Sequence, residues 1–331
     1  MRTIDQFNQL KISKADVTLI HRGRNKFISD YFKKYCDHDY NYDFRHKQNR
    51  KISNLIFNFL KSLIFLYELK KSKYYLLEGG LFIHIAILLT SFSNKRKIIF
   101  NIADPFLYKR NRKFLTKLKY RFKINFLKKC TYIFTNSPLV YDELVSIGLE
   151  EKIYYYKLAI GSKKINTINI NHDSNNKNIL YLVTRPRETG HIKGLDVAIN
   201  ILKADRNKGY KYIFAGSNDI QHNSSNLIKK GFVDDISELY KECKILICPS
   251  AYDSYPGVSI ECIKYSVLPL VSDRCGSAVD LKKINHNLVA NYGDIQDWLS
   301  KIHNLMNLSN EKLQELEPKL TDLYNSFCQY E

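Results

Sequence analysis

The chain has 331 residues, 44% hydrophobic and 26% charged, with 52 Lys+Arg against 33 Asp+Glu for a formal net charge of +19. That length and apolar fraction suit two globular domains with real cores and exclude a disordered or fibrous chain. Seven cysteines (Cys36, Cys130, Cys243, Cys248, Cys262, Cys275 and Cys328) include no Cys-x-x-Cys pair, so reduced and mostly buried thiols are expected rather than a disulfide framework or a zinc site.

The charge is lopsided. Residues 1–165 hold 33 basic and 13 acidic side chains, leaving 19 basic against 20 acidic in the remainder. The apolar runs at 63–66 and 81–89 are too short and too interrupted to span a bilayer, and no charged-then-apolar signal opens the chain. The expectation is a cytoplasmic protein.

In chain order the first half alternates strands and helices. A strand at 16–20 leads to His21-Arg22-Gly23-Arg24, a loop fit for an anion or acceptor, or an ordinary turn. Helical spacing covers 27–35 and 52–69. The strand 74–77 ends in Glu78-Gly79-Gly80, glycines that allow close backbone approach, before a helical run at 81–89. A strand at 97–102 closes on Ala103-Asp104-Pro105. This is either a structural turn or, since parallel sheets place ligands at their carboxyl ends, a ligand position for Asp104. Residues 109–129 then carry Lys109, Arg110, Arg112, Lys113, Lys117, Lys119, Arg121, Lys123, Lys128 and Lys129 with no acid, interleaved with Phe114, Leu118, Phe122 and Phe126. On a helix this makes one apolar and one basic face, suited to a core helix that also touches an anionic membrane surface. No nucleic-acid-binding motif accompanies the charge, so nucleic acid is not an expected partner. A strand at 131–134, a helix at 139–147 and strands at 153–156 and 158–160 finish the half.

Residues 162–178, rich in Asn, Lys, Ser and Asp, read as an interdomain linker with at most a short strand around 165–170. The next domain opens with a strand at 179–183 into Thr184-Arg185-Pro186-Arg187, then Lys193-Gly194 and a helix at 197–202. A strand at 212–215, the segment Gly231-Phe232-Val233 and a strand at 243–248 follow. Residues 249–273 complete a βαβ unit. Asp253 lies in the loop and Glu261 in the first turns of the helix that Gly257 opens, so both carboxylates can face one crevice. Between them, Ser254, Tyr255, Gly257 and Val258 supply backbone N–H groups where a helix begins, a place that suits a phosphate. A plain βαβ turn with a capping Asp and a solvated Glu fits this stretch equally well. Helical spacing returns at 294–308 and 311–329.

In that order, the Arg then Lys-Gly element, Gly231-Phe232-Val233, and Asp253-x7-Glu261 with its small-residue turn and apolar strand resemble the retaining GT-B glycosyltransferases of family-4 type. The resemblance covers the C-terminal half well and the first half in outline. It implies an α/β protein of two Rossmann-like, doubly wound domains facing a central cleft. Residues 1–165 would bind the acceptor and 166–331 the nucleotide-sugar, with a last helix able to cross back to the first domain. It further implies transfer of a hexose, with retention, from a UDP- or GDP-linked donor to a saccharide or lipid-linked saccharide, in surface polysaccharide or lipopolysaccharide assembly. No cofactor or metal is implied, and the place of action would be the cytoplasm, peripheral at the inner face of the membrane.

By the same resemblance, Lys193 with Arg185, or with Arg187, holds the donor diphosphate. Asp253 and the amides after it fix the sugar, Glu261 takes the ribose hydroxyls, and Phe232 and Val233 pack the base. The sequence departs from the family in two places. Asp253 stands where Glu is usual, and no His stands near Asp104, which is a positional candidate only. A GT-B-like binding protein without catalysis, a nucleotide-sugar 2-epimerase and an inverting transferase remain the alternatives.

Overall fold

The computed structural model describes residues 12–13, 16–21, 32–33, 36, 38–41, 73–77, 97–102, 114–157, 163–170, 177–182, 192–205, 209–217, 220 and 222–328. The helices expected at 52–69 and 81–89, most of that at 27–35, the loop 22–24, and residues 78–80, 104 and 184–187 lie outside them. Contacts divide the chain into residues 1–158 and 159–331.

In the first unit, β1 (Val17–His21), β2 (His38–Asn41), β3 (Tyr74–Leu77) and β4 (Lys97–Asn101) precede α1 (Phe114–Lys129), β5 (Tyr132–Thr135), α2 (Pro138–Ser146) and β6 (Ile153–Tyr155). All six strands are parallel, in the order β2-β1-β3-β4-β5-β6. A parallel sheet is covered on both faces, and the alternation of side chains shows it. Tyr74 and Leu76 join one buried cluster with Val17, Leu19, Ile99 and Phe134, while Tyr75 and Leu77 join another with Ile20, Phe100 and Ile133. The second cluster also takes Phe126 and Leu127 of α1 and Val140 and Leu144 of α2. Arg121, Lys128 and Lys129 of α1 are exposed, giving its last turns one apolar and one basic face. Lys152 donates to the carbonyls of Lys128 (2.7 Å) and Cys130 (3.1 Å), closing that helix end with a cation. Helix α2 starts where the sequence says it should. Ser137 accepts from Val140 N–H, and Pro138 occupies the first turn.

The second unit repeats the plan. Its elements are β7 (Asn178–Leu182), α3 (Leu195–Ala204), β8 (Lys211–Ala215), β9 (Leu227–Gly231), α4 (Ile236–Lys241), β10 (Ile245–Cys248), α5 (Val258–Lys264), β11 (Leu268–Ser272), α6 (Ala278–Ile284), β12 (Val289–Ala290), α7 (Ile295–Met306) and α8 (Asn310–Asn325). The strands are again all parallel, ordered β12-β11-β10-β7-β8-β9. Pro269 sits inside central strand β11 without breaking a ladder bond. Leu268 N–H goes to Lys244 O just before β10 (2.9 Å) and Asp273 N–H to Ala290 O of β12 (2.8 Å), so the odd-numbered residues of β11 turn toward β12. Strand β12 pairs only with Val271 and Ser272, and Pro269 falls before it begins. Helix α7 buries Trp298, Ile302, Leu305 and Met306 at helical spacing behind an Asp294 cap.

Residues 165–170, where at most a short strand was expected, form none. Their backbone is instead held by one polar face of α8: Ile165 N–H donates to Asn325 Oδ1 (2.9 Å), Ile168 N–H to Thr321 Oγ1 (3.2 Å) and Ile170 N–H to Glu317 Oε1 (2.8 Å). These acceptors are spaced four apart on the helix, so side chains satisfy amides that a sheet would otherwise pair. Gly231 closes a strand, β9, where a loop was expected. The short helices α4 and α6 were not foreseen. Leu313, Leu316, Leu320 and Tyr324 of α8 are buried in the core of the second unit. All seven cysteines are free and buried. Among the described residues no helix is long and apolar enough to cross a membrane.

Candidate active site

Strand β7 opens the second sheet. The chain then runs to β8 on one side of it and later returns to β10 on the other. The carboxyl ends of β7 and β10 therefore flank the point where strand order reverses, the place where open parallel sheets leave a crevice. A cavity of about 450 Å³ lies there, lined by Tyr181 and Leu182 from β7, Cys248 from β10, and Lys193, Asp253, Tyr255, Gly257 and Val258 from the following loops.

The two loops are docked at the backbone. Ala251 N–H donates to Ile192 O (2.8 Å), and the Tyr181 hydroxyl to Lys193 O (3.1 Å). Gly194 precedes α3 at φ +77°, where a Cβ would stand 1.8 Å from Pro249 O. Only glycine fits both the left-handed backbone and that approach. On the far side, Asp253 N–H donates to Arg274 O (3.2 Å) and Gly276 N–H to Asp253 O (2.9 Å). Ser272, fully buried, donates to Ser250 O (2.6 Å) and accepts from Arg274 N–H (3.1 Å).

This docking brings Lys193 and Asp253 together across 60 residues of sequence, Nζ to Oδ2, at 2.5 Å. Burial alone would depress the Lys193 pKa. The Asp253 carboxylate, through its charge and its hydrogen bond, outweighs that, and the ammonium ends above its ordinary range. Glu261 stands on the first turn of α5, its Oε1 3.7 Å from where a Cβ on Gly257 would be. Its carboxylate makes no hydrogen bond or ion pair among the described residues, and burial raises its pKa. The N–H groups of Gly257 and Val258 are likewise without a backbone partner among the described residues. Tyr255 is held at both ends, its hydroxyl on Asp280 Oδ2 (2.8 Å) and its ring against Phe327 (centroids 5.0 Å apart).

Of the residues singled out from sequence, Lys193, Asp253, Tyr255, Gly257 and Val258 meet at one cavity, with Glu261 one turn along the same helix. Ser254 lies between them in the loop. Phe232 and Val233 do not line this cavity. They follow β9, with Phe232 78% exposed and Val233 packed on the core. Arg185, Arg187 and Asp104 lie outside the described residues. Tyr181, Ser272 and Asp280 were not foreseen. They act through contacts distant in sequence, and no local pattern marks them. The arrangement offers a cation, a carboxylate beside it, a second carboxylate without a partner and two amides, a set fitted to a polyhydroxylated anion. Among the described residues no cluster of three His, Cys, Asp or Glu is placed to hold a metal ion.

Residues 164–319 match the model of the family described as glycosyl transferases group 1. A Campylobacter jejuni protein named GalNAc-alpha-(1->4)-GalNAc-alpha-(1->3)-diNAcBac-PP-undecaprenol alpha-1,4-N-acetyl-D-galactosaminyltransferase is 23% identical over 177 residues. That match covers 49% of this chain and 48% of the relative, so it spans about half the relative's length. Among solved structures, HepE of Anabaena in complex with UDP and glucose superposes with a TM-score of 0.62 at 12% identity, covering 94% of this chain and 95% of that one. A glycosyltransferase from Rickettsia africae gives 0.60 at 14%, covering 94% of each. These likenesses show the fold: both parallel-sheet α/β units are those of a GT-B protein.

Proposed function

We propose that this chain, whose residues 164–319 match the model of the glycosyl transferases group 1, is a glycosyltransferase that takes its nucleotide-sugar donor in the second unit. The observation that carries the reading is the meeting of Lys193 and Asp253 at 2.5 Å on the cavity where strand order reverses, one helix turn from a carboxylate with no partner. As the bond from sugar to diphosphate breaks, charge accumulates on the departing nucleoside diphosphate. Lys193, with Arg185 or Arg187, stabilises it, and that stabilisation grows along the reaction coordinate. Asp253 and the amides of Gly257 and Val258 orient the sugar and the diphosphate. Glu261 accepts from the ribose hydroxyls, which repays the desolvation of its carboxylate.

The donor is a hexose linked to UDP or GDP, transferred with retention. The acceptor is a saccharide on a lipid carrier, and the pathway class is surface polysaccharide or lipopolysaccharide assembly. Support comes from the Campylobacter relative, whose name specifies a saccharide linked to PP-undecaprenol, and from HepE, crystallised with UDP and glucose. The surplus of basic residues in the first 165 positions suits work against anionic lipid. The decisive assay offers a panel of UDP- and GDP-sugars with polyprenyl-diphosphate-linked saccharides in vesicles, with and without anionic lipid. We expect a lengthened saccharide with the donor's anomeric configuration, formed faster on anionic vesicles. An isomerised sugar without acceptor would indicate a 2-epimerase, an inverted linkage an inverting transferase, and binding without turnover a non-catalytic protein.

A further inference from the structure

The Lys193–Asp253 pair is a built contact. Both backbones are pinned, Lys193 by Tyr181 and by the close approach of Gly194 to Pro249, and Asp253 by Arg274 and Gly276. The two partners are unequal. The Asp253 side chain is 12% exposed and that of Lys193 38%, and Lys193 is the only partner of the carboxylate among the described residues. A diphosphate entering this site therefore competes with Asp253 for the ammonium. A carboxylate released in a poorly hydrated position carries the full penalty of its desolvation unless hydrogen-bond donors replace the one it lost.

We propose that Asp253 is a specificity-determining residue that sets the site against free nucleoside diphosphate and in favour of the sugar-bearing nucleotide. Either ligand displaces the carboxylate from Lys193, but only the sugar brings hydroxyls that donate to it in return. The donor thus exchanges one satisfied arrangement for another, while the nucleoside diphosphate left after transfer keeps Lys193 and leaves Asp253 without a partner. Product release is favoured by the same carboxylate that receives the donor. This inference rests on the proposed donor site and adds a role for the ion pair within it.

The test is calorimetric titration of UDP, GDP, UDP-glucose, UDP-N-acetylglucosamine and GDP-mannose into the wild type, Asp253→Asn, Lys193→Ala and the double variant, each checked for a cooperative thermal transition. Lys193→Gln replaces Lys193→Ala if the latter does not fold. We expect the wild type to hold its preferred sugar nucleotide about tenfold or more tighter than the matching diphosphate. Asp253→Asn should bind the free diphosphate about five- to thirtyfold tighter than wild type and lose most of that preference. The gain should vanish in the Lys193 background, because it arises from freeing that ammonium. Diphosphate affinity that stays level or falls in Asp253→Asn, or a gain that persists without Lys193, overturns the inference while leaving the donor site standing. If no nucleotide binds either the wild type or Asp253→Asn, the donor site itself falls, and this role with it.

Discussion

Glu261 bears the clearest mark of a residue placed for a ligand. Its carboxylate is partly buried, has no cation or donor beside it among the described residues, and is pushed above the ordinary range by desolvation. A raised folded-state pKa means that the unliganded protein is least burdened below the unfolded value near 4.5 and loses stability as pH rises through the folded value. Glu261→Gln removes that titration. The variant's melting temperature, measured without ligand, should therefore exceed the wild type's at pH 7, with the difference closing as pH falls toward 4.5; a wild type that is the more stable at pH 7 would contradict this. The candidate residues that meet at the cavity were legible because Lys-Gly after a strand and two acids with seven residues between them are local patterns. Tyr181, Ser272 and Asp280, which hold those groups in place, were not, because each acts on a partner from another segment.

At the scale of elements, the site depends on how closely two loops dock. Gly194 combines φ +77° with a Pro249 carbonyl where a side chain would go, so Gly194→Ala meets both backbone strain and backbone collision. The expected loss is about 3 kcal/mol or more in a chemical denaturation curve, with donor-site binding lost even where the variant folds; a loss below about 1 kcal/mol would mean the loops part easily. A second dependence is the hold of α8 on residues 165–170. Thr321→Val removes the acceptor for Ile168 N–H together with its own donation to Glu317 O (2.7 Å), and Asn325→Ala removes both the acceptor for Ile165 N–H and the donor to Ile165 O (2.8 Å). Hydrogen exchange should speed up about tenfold at the amide concerned and little at Ile170, which Glu317 holds; unchanged exchange would deny that these side chains stand in for a strand partner. Sequence left this segment a linker with at most a short strand, since Ile165, Ile168 and Ile170 look like strand residues and nothing nearby shows that a side chain 153 residues on will take the Ile168 amide. Strand β9, with Lys229 and Lys230 exposed at the sheet edge, hid for the opposite reason. Edge strands carry charge that blunts further pairing, and that charge erases the apolar signal.

For the whole molecule, alternation of apolar strands and amphipathic helices was enough to indicate two parallel α/β units, because parallel strands buried on both faces read as continuous apolar runs. Strand order was not readable. The crevice between β7 and β10 exists because β8 and β10 lie on opposite sides of β7, a fact of pairing with no local trace. The excess of basic residues is confined to the first 165, whereas the cavity between β7 and β10 belongs to the second unit. The central claim is that this cavity takes a nucleoside diphosphate sugar. Its most direct measurement is a thermal-shift panel of nucleoside diphosphates and their sugars on the wild type and on Glu261→Gln. A ligand at a hundred times its dissociation constant stabilises the native state by about 2.7 kcal/mol, a shift of roughly 5–10 °C for a domain of this size. The account predicts such a shift for nucleotides of one base in the wild type and its loss in Glu261→Gln; no shift with any nucleotide at millimolar concentration would contradict it.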